Sequence, residues 1–302
     1  MSFDLNSAPS QKERIAVVTG ANIGLGYETT IGLAKKGAKV IMACRNLQKA
    51  EIAKRKIEKK VPDADLEIMI LDLSSLQSVQ DFAKTYSEKY KHLDLLIENA
   101  GIMIPPFGKT EDGFESQFGV NYLSHFLLAN LLLPLLIQTK ESRIVTLSSL
   151  AHENGVIDFE NINSAHSYSR MGAYRQSKLA CLLFAYELQR RLEKAGSSVI
   201  AVSAHPGVSN TNLGQNFPKI ARILAAPILP FFTHSPAKAA LPILMAAIDL
   251  NVKGGEYFGP TGYKGMKGKP GKVESRPHSH DKDVAIKLWE VSETLTGMKF
   301  IV

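Results

Sequence analysis

The sequence predicts an α/β fold, a doubly wound and mainly parallel sheet with helices on both faces. Three observations carry this: short apolar runs recur along the chain, most are apolar on both faces, and segments of helical period separate them. The runs are Ile15–Thr19, Lys39–Ala43, Leu66–Leu71, Leu93–Ile97, Arg143–Leu147 and Val199–Ala204. A strand apolar on both faces must be covered from above and below, and right-handed crossover helices do this. With 302 residues, 45% hydrophobic, and no Pro/Gly/Ser-rich linker, the chain reads as one domain.

The first strand runs into Thr19-Gly20-Ala21-Asn22-Ile23-Gly24-Leu25-Gly26, and a helix follows from Tyr27 through Lys36. Gly20 permits a tight turn, Gly24 lets backbone approach a diphosphate, and Gly26 allows the helix to pack closely. At a first βα junction this points to nucleotide binding, with amide donors at the helix N-terminus. The second strand ends in Ala43-Cys44-Arg45-Asn46, without the carboxylate that would meet a ribose 2′-hydroxyl. Arg45 instead offers a charged fork suited to a 2′-phosphate, so NADP(H) is the expected cofactor. The densest basic stretch, Lys54 to Lys60, includes Glu58; it reads as a solvated helix face, and no nucleic-acid partner is expected despite a net charge of +7.

Leu76, Val79, Phe82, Ala83 and Tyr86 line one side of a helix over Ser75–Tyr90. The apolar stretch Tyr122–Ile137 is shorter than the ~20 residues a bilayer requires, so it predicts a buried helix and no membrane span. Another helix, Ala173 to Ala195, stops at Gly196. Within it, Tyr174 and Lys178 stand four apart on one face, so both can reach one ligand. A neighbouring ammonium favours a phenolate, which suits Tyr174 to exchange protons. After Ala204 the alternation lapses over Asn210–Thr233, beyond a strand's carboxyl end, and helical pattern resumes at Pro236–Leu250. The tail from Gly262 to His280 reads as an exposed basic loop whose charge could meet an anionic cofactor or substrate.

The TGxxxGxG spacing, a strand-end Ser148-Ser149 and the downstream YxxxK together resemble the short-chain dehydrogenase/reductase family, over most of the chain. The resemblance implies a single Rossmann domain with a mainly parallel seven-stranded sheet: core 13–205, substrate flap 206–235, and C-terminal helices and loop 236–302. It implies Tyr174 as general acid for carbonyl reduction and Ser149, with Ser148 as the alternative, hydrogen-bonding the substrate oxygen. Lys178 would bind the nicotinamide ribose and make Tyr174 a better acid, while Asn121 would hold a water completing a proton path from Lys178. Cofactor contacts would come from Gly20, Asn22, Ile23, Gly24, Leu25, Gly26, Arg45, Asn46, Tyr174 and Lys178. Further contacts fall on Asp72 and Leu73, resembling the adenine pair, and on Asn99, Ala100 and Gly101, resembling NNAG with Glu98 in place of the first Asn. Pro206, Gly207, Val208 and Thr211 resemble the turn whose threonine holds the cofactor.

The long stretch between Ser149 and Tyr174, Leu147-Ser148-Ser149-Leu150-Ala151-His152 and Leu288-Trp289-Glu290-Val291-Ser292-Glu293 resemble the retinol-dehydrogenase-like branch. A lipophilic carbonyl or alcohol is then the expected substrate, and Ile220, Ile223, Leu224, Ile228, Leu229, Phe231 and Phe232 would suit it; the same residues would equally suit packing on the core or on a partner subunit. A homodimer is left open. Two cysteines, Cys44 and Cys181, have no ligand spacing and read as buried free thiols; His125, His205 and His234 read as structural, so no metal is expected. Met1 to Arg14 has no signal-peptide core, which makes the cytoplasm the expected compartment. An NADP(H)-binding regulator without turnover and a nucleotide-sugar enzyme sharing YxxxK are the competing readings.

Overall fold

The computed structural model describes residues 3–208 and 233–302. Five strands match the sequence reading closely: β1 (Ile15–Thr19), β2 (Lys39–Cys44), β3 (Leu66–Ile70), β5 (Arg143–Leu147) and β6 (Ile200–Ala204). Strand β4 spans Leu95–Glu98, starting two residues later than its apolar run. With β7 (Tyr257–Pro260) and β8 (Pro270–Val273) they form one sheet in the order β3-β2-β1-β4-β5-β6-β7-β8. All neighbours are parallel except β7 and β8.

The sheet therefore has eight strands where seven were expected. The addition lies in the tail read as an exposed loop. Pro270-Gly271-Lys272-Val273 lacks strand-like alternation, and its conformation comes from the free edge of β7, where Tyr257 pairs with Val273 and Pro260 with Pro270.

Two apolar layers sandwich the sheet. Helices α1 (Gly24–Lys35), α2 (Leu47–Lys60) and α8 (Leu241–Ile248), the last preceded by the short α7 (Pro236–Ala239), cover one face through Leu33, Ala50, Ile57 and Ile243. The other face carries α3 (Leu76–Lys89), α6 (Arg170–Lys194), α9 (Lys282–Thr296) and a composite run. That run joins α4 (Ser116–Phe118), a π-turn at Gly119–Leu123 and α5 (Ser124–Ile137). Together they make 22 helical residues, Ser116–Ile137, apolar and long enough for a membrane span, and longer than the apolar stretch alone indicates. Within its apolar 18-residue stretch 72% of the positions are buried in the protein, which marks it as a core helix. Its hydrophobicity on all sides follows from packing against sheet, α3, α6 and α9 at once.

Candidate active site

Strand order reverses between β1 and β4, and in open α/β sheets the place beyond the carboxyl ends of such strands is where ligands bind. The glycine turn lies there, directly after β1. Gly20 and Gly24 have φ of +66° and +59°, conformations that side chains disfavour. A Cβ on Gly26 would strike the Gly20 carbonyl oxygen and the Asn99 amide, so α1 can start this close to β1 and β4 only with glycine there. The N-cap of α1 is Ile23, which makes no side-chain capping bond, and the first turn carries no acidic residue. Its leading amides are left for an anion, and Ile23 stands 52% exposed beside them. Cys44 lies beneath the turn against the backbone of Ala21 and Asn22, and burial pushes its thiol up to about 12.

Strand β4 delivers Asn99, Ala100 and Gly101. The Asn99 amide donates to the Thr19 carbonyl at 2.8 Å and the Ala100 N–H to the Thr19 hydroxyl at 2.9 Å, tying β4 to β1. Gly101 faces the centre of the site: a Cβ there would sit 3.2 Å from Asn121 Oδ1 and 3.5 Å from Lys178 Nζ.

Asn121 sits in the π-turn. Its Oδ1 accepts from Ile102 N at 2.8 Å, and its Nδ2 donates to Ile102 O and to Ser177 Oγ. Its own carbonyl accepts from His125 Nδ1 at 3.0 Å and from the Cys181 thiol at 3.2 Å. His125 Nε2 meets the Thr19 hydroxyl at 3.0 Å, so the ring bridges the end of β1 to the helix of Asn121. Burial holds this histidine down to about 4, and it stays neutral with its proton on Nδ1.

Helix α6 begins at Ser169, whose hydroxyl caps Gly172, and carries Tyr174 and Lys178 on one face. Both are buried. Lys178 Nζ donates to the Leu147 carbonyl at 2.9 Å and lies 6.0 Å from the centre of the Tyr174 ring. Two of its three N–H donors remain for a ligand. The two serines at the end of β5 separate in role: Ser148 Oγ donates to the Lys178 carbonyl at 2.8 Å, whereas Ser149 Oγ accepts from Ala151 N at 3.2 Å and keeps its own proton to donate.

The outer contacts are mixed. Arg45 is exposed, 3.8 Å from Asp72, whose other oxygen accepts from Ser74. Asn46 caps α2 through its Oδ1, which accepts from Lys49 N, and leaves its Nδ2 donors exposed, whereas the Leu73 side chain is buried in the core. Gly207, at φ +71°, packs so tightly on the Met266 carbonyl that a Cβ would collide with it, and Val208 N donates to that same carbonyl at 2.9 Å. Thr211 and the apolar residues from Ile220 to Phe232 lie outside the described residues.

His125 holds the structural role its sequence context implies, bridging the end of β1 to the helix of Asn121. Sequence reasoning missed two contributors. Gln117 ties the loop after β4 to the start of α6, accepting from Ile104 N and donating to Tyr168 Oη and Arg170 O; nothing in its pattern marks it. Glu98, noted only as a departure, is fully buried; its Oε2 accepts from Thr146 at 3.0 Å, and its Oε1 has no partner among the described residues. Burial raises its carboxyl to about 8, so near neutrality it is largely protonated. Among the described residues no cluster fit for a metal ion is present.

A family profile described as short chain dehydrogenase matches residues 14–220. The chain is 41% identical over 293 residues to retinol dehydrogenase 13 of Homo sapiens, covering 95% of this chain and 85% of that one. It is 38% identical over 304 residues to polyprenol dehydrogenase of Danio rerio, covering 99% and 91%. A solved structure of an uncharacterized protein from Mycobacterium paratuberculosis superposes with a TM-score of 0.84 at 40% identity over the whole of both chains. The complex of RhlG with NADP from Pseudomonas aeruginosa shares the fold, with a TM-score of 0.65 at 23% identity, covering 82% of this chain and 94% of that one. With a matching profile over most of its length, the chain belongs to the short-chain dehydrogenase family of oxidoreductases and is retinol-dehydrogenase-like within it.

Proposed function

We propose that the protein is an NADP(H)-dependent oxidoreductase that interconverts an apolar aldehyde or ketone and its alcohol. The observation that carries this is Lys178, whose ammonium lies 6.0 Å from the Tyr174 ring, beside Gly101 and bound to Leu147 at the end of the strand that carries Ser149, in a chain whose glycine turn leaves its helix amides uncapped. The turn, Lys178 and exposed Arg45 fit a dinucleotide phosphorylated on its ribose, with Arg45 meeting the extra phosphate. When bound, the nicotinamide supplies or accepts the hydride.

The chain's own residues do the rest. Ser149 donates its free proton to the substrate oxygen and fixes it within reach of Tyr174. Tyr174 gives that oxygen a proton in reduction and takes one back in oxidation. The charge on Lys178 stabilises the phenolate that remains, at a site little exposed to water, where the attraction is stronger than in bulk solvent. Asn121 braces the loop at Ile102 and, through its carbonyl, the His125 bridge. An apolar substrate is supported by the names of the relatives, which act on retinol and polyprenol, and by the composition of residues 220–232. The division into core, flap and C-terminal part, and a cytoplasmic location, belong to the same proposal.

The test is loss of NADPH absorbance with a panel of aldehydes and ketones ranging from polar to long-chain apolar. Turnover with the apolar members, reduced about 10²–10⁴-fold in Tyr174→Phe while NADPH affinity holds, is the expected result. Tight NADPH binding without turnover on any member would make the protein an NADP(H)-binding regulator instead.

A further inference from the structure

Ser149 is followed by a short 3-10 turn, Leu150–Asn154, and the segment from Arg276 to His280 lies against it. His152 joins the two. Its ring is 2% exposed and packs edge-on against Tyr257 of β7 at 5.6 Å. Its Nδ1 lies 2.7 Å from the Ser149 carbonyl, and its Nε2 lies 3.4 Å from the backbone N–H of Arg276. A carbonyl only accepts, so Nδ1 carries the proton and Nε2 accepts from Arg276. Two further bonds reinforce the join: His278 Nε2 donates to the His152 carbonyl at 3.0 Å, and Arg276 pairs with Glu153 at 2.8 Å. Beside them lies a cavity of about 440 Å³, lined by Leu150, His152, His205, Tyr257 and Arg276 among others. On that side the loop borders open space, and the hydrogen bonds add to the packing of His152 on Tyr257.

We propose that His152 is a positioning residue for Ser149: it latches the loop behind the serine to the C-terminal segment that the eighth strand brings alongside. The serine carbonyl accepts from both the backbone N–H and the ring of His152, which fixes the peptide that aims the hydroxyl. The C-terminal segment thereby becomes part of the site without touching a reactant. A shift of the serine by about 1 Å is enough to cost up to ~10²-fold in rate.

This inference rests on the proposed role of Ser149, and the experiment separates the two. The full-length protein is assayed with NADPH and decanal. If Ser149→Ala leaves kcat unchanged, the reading of Ser149 fails and the latch fails with it. If Ser149→Ala is inactive, His152→Leu and His152→Asn decide, because their side chains share one branched shape of four heavy atoms and only Asn keeps a donor near the Nδ1 place. The expected result is a fall in kcat of about tenfold or more for His152→Leu, with KM for NADPH within about twofold, and kcat within about threefold of the parent for His152→Asn. Unchanged kcat in His152→Leu, or an equal fall in both, overturns the proposal. Should either variant fail to fold, Arg276→Pro and Arg276→Ala replace them. Arg276 has φ of −69°, which proline adopts, so Pro removes the N–H that Nε2 accepts while Ala retains it. A lower kcat in Arg276→Pro than in Arg276→Ala supports the latch, and equal values overturn it.

Discussion

At the scale of single residues, two side chains give direct predictions. Glu98 is a carboxyl without charge partners at the end of a central strand, raised to about 8 by burial against an ordinary value near 4.5. Folding therefore takes up a proton between those values. The stability that this provides is fully present below about 4.5 and is lost as pH rises toward about 8, by at most about 1.4 kcal/mol per pH unit. Glu98→Gln, which stays neutral, should flatten this dependence, so urea midpoints of the variant and the parent diverge from pH 5 to pH 8.5 with the variant higher at the alkaline end. Arg45 gives the second: Arg45→Ala should raise KM for NADPH about 10–100-fold, the worth of a charged hydrogen bond, and leave KM for NADH nearly unchanged. An equal effect on both cofactors would remove Arg45 from the 2′-phosphate. Individual residues were legible where the chemistry imposes a spacing, as with Tyr174 and Lys178 or with Gly20, Gly24 and Gly26. They were illegible where a role depends on a partner far along the chain: Glu98 finds Thr146, His152 finds Arg276, and no local pattern reports either meeting.

At the scale of elements, the strands with both faces buried were readable because burial writes itself into composition. Strands β7 and β8 were not: Tyr257–Pro260 ends in Gly and Pro, and β8 begins with Pro and Gly, so propensity argues against both while edge pairing holds them. The π-turn at Gly119–Leu123 was equally hidden, since a single widened turn leaves no periodic trace. The contact between α1 and the β1 turn offers the test at this scale. In Gly26→Ala the new methyl meets the Gly20 backbone as well as the Asn99 amide, and the backbone cannot swing aside as a side chain can, so α1 has to shift outward. A loss of about 1–3 kcal/mol in stability is expected, with weaker NADPH binding, read by thermal melting with and without cofactor. Retained affinity in a destabilised variant would detach the glycine turn from the cofactor.

For the molecule as a whole, the lone tryptophan is a useful reporter. Trp289 on α9 is buried among Phe126, Phe184 and Phe300, with the Arg191 guanidinium 4.2 Å over its ring, so the last helix is sealed against the central ones. If the chain folds as one unit, Trp289 fluorescence and the far-ultraviolet dichroism of the whole sheet should change at the same denaturant concentration; separate midpoints would show the C-terminal part loosening on its own. The two borders of the sheet also differ in kind. One ends in β3, the other in a four-residue strand that opens with Pro270, which has no N–H to offer, and carries Lys272 bound to Glu256. Along that second border, a missing N–H and a lysine both work against another strand adding itself by main-chain pairing, the usual means by which a sheet blunts an open edge.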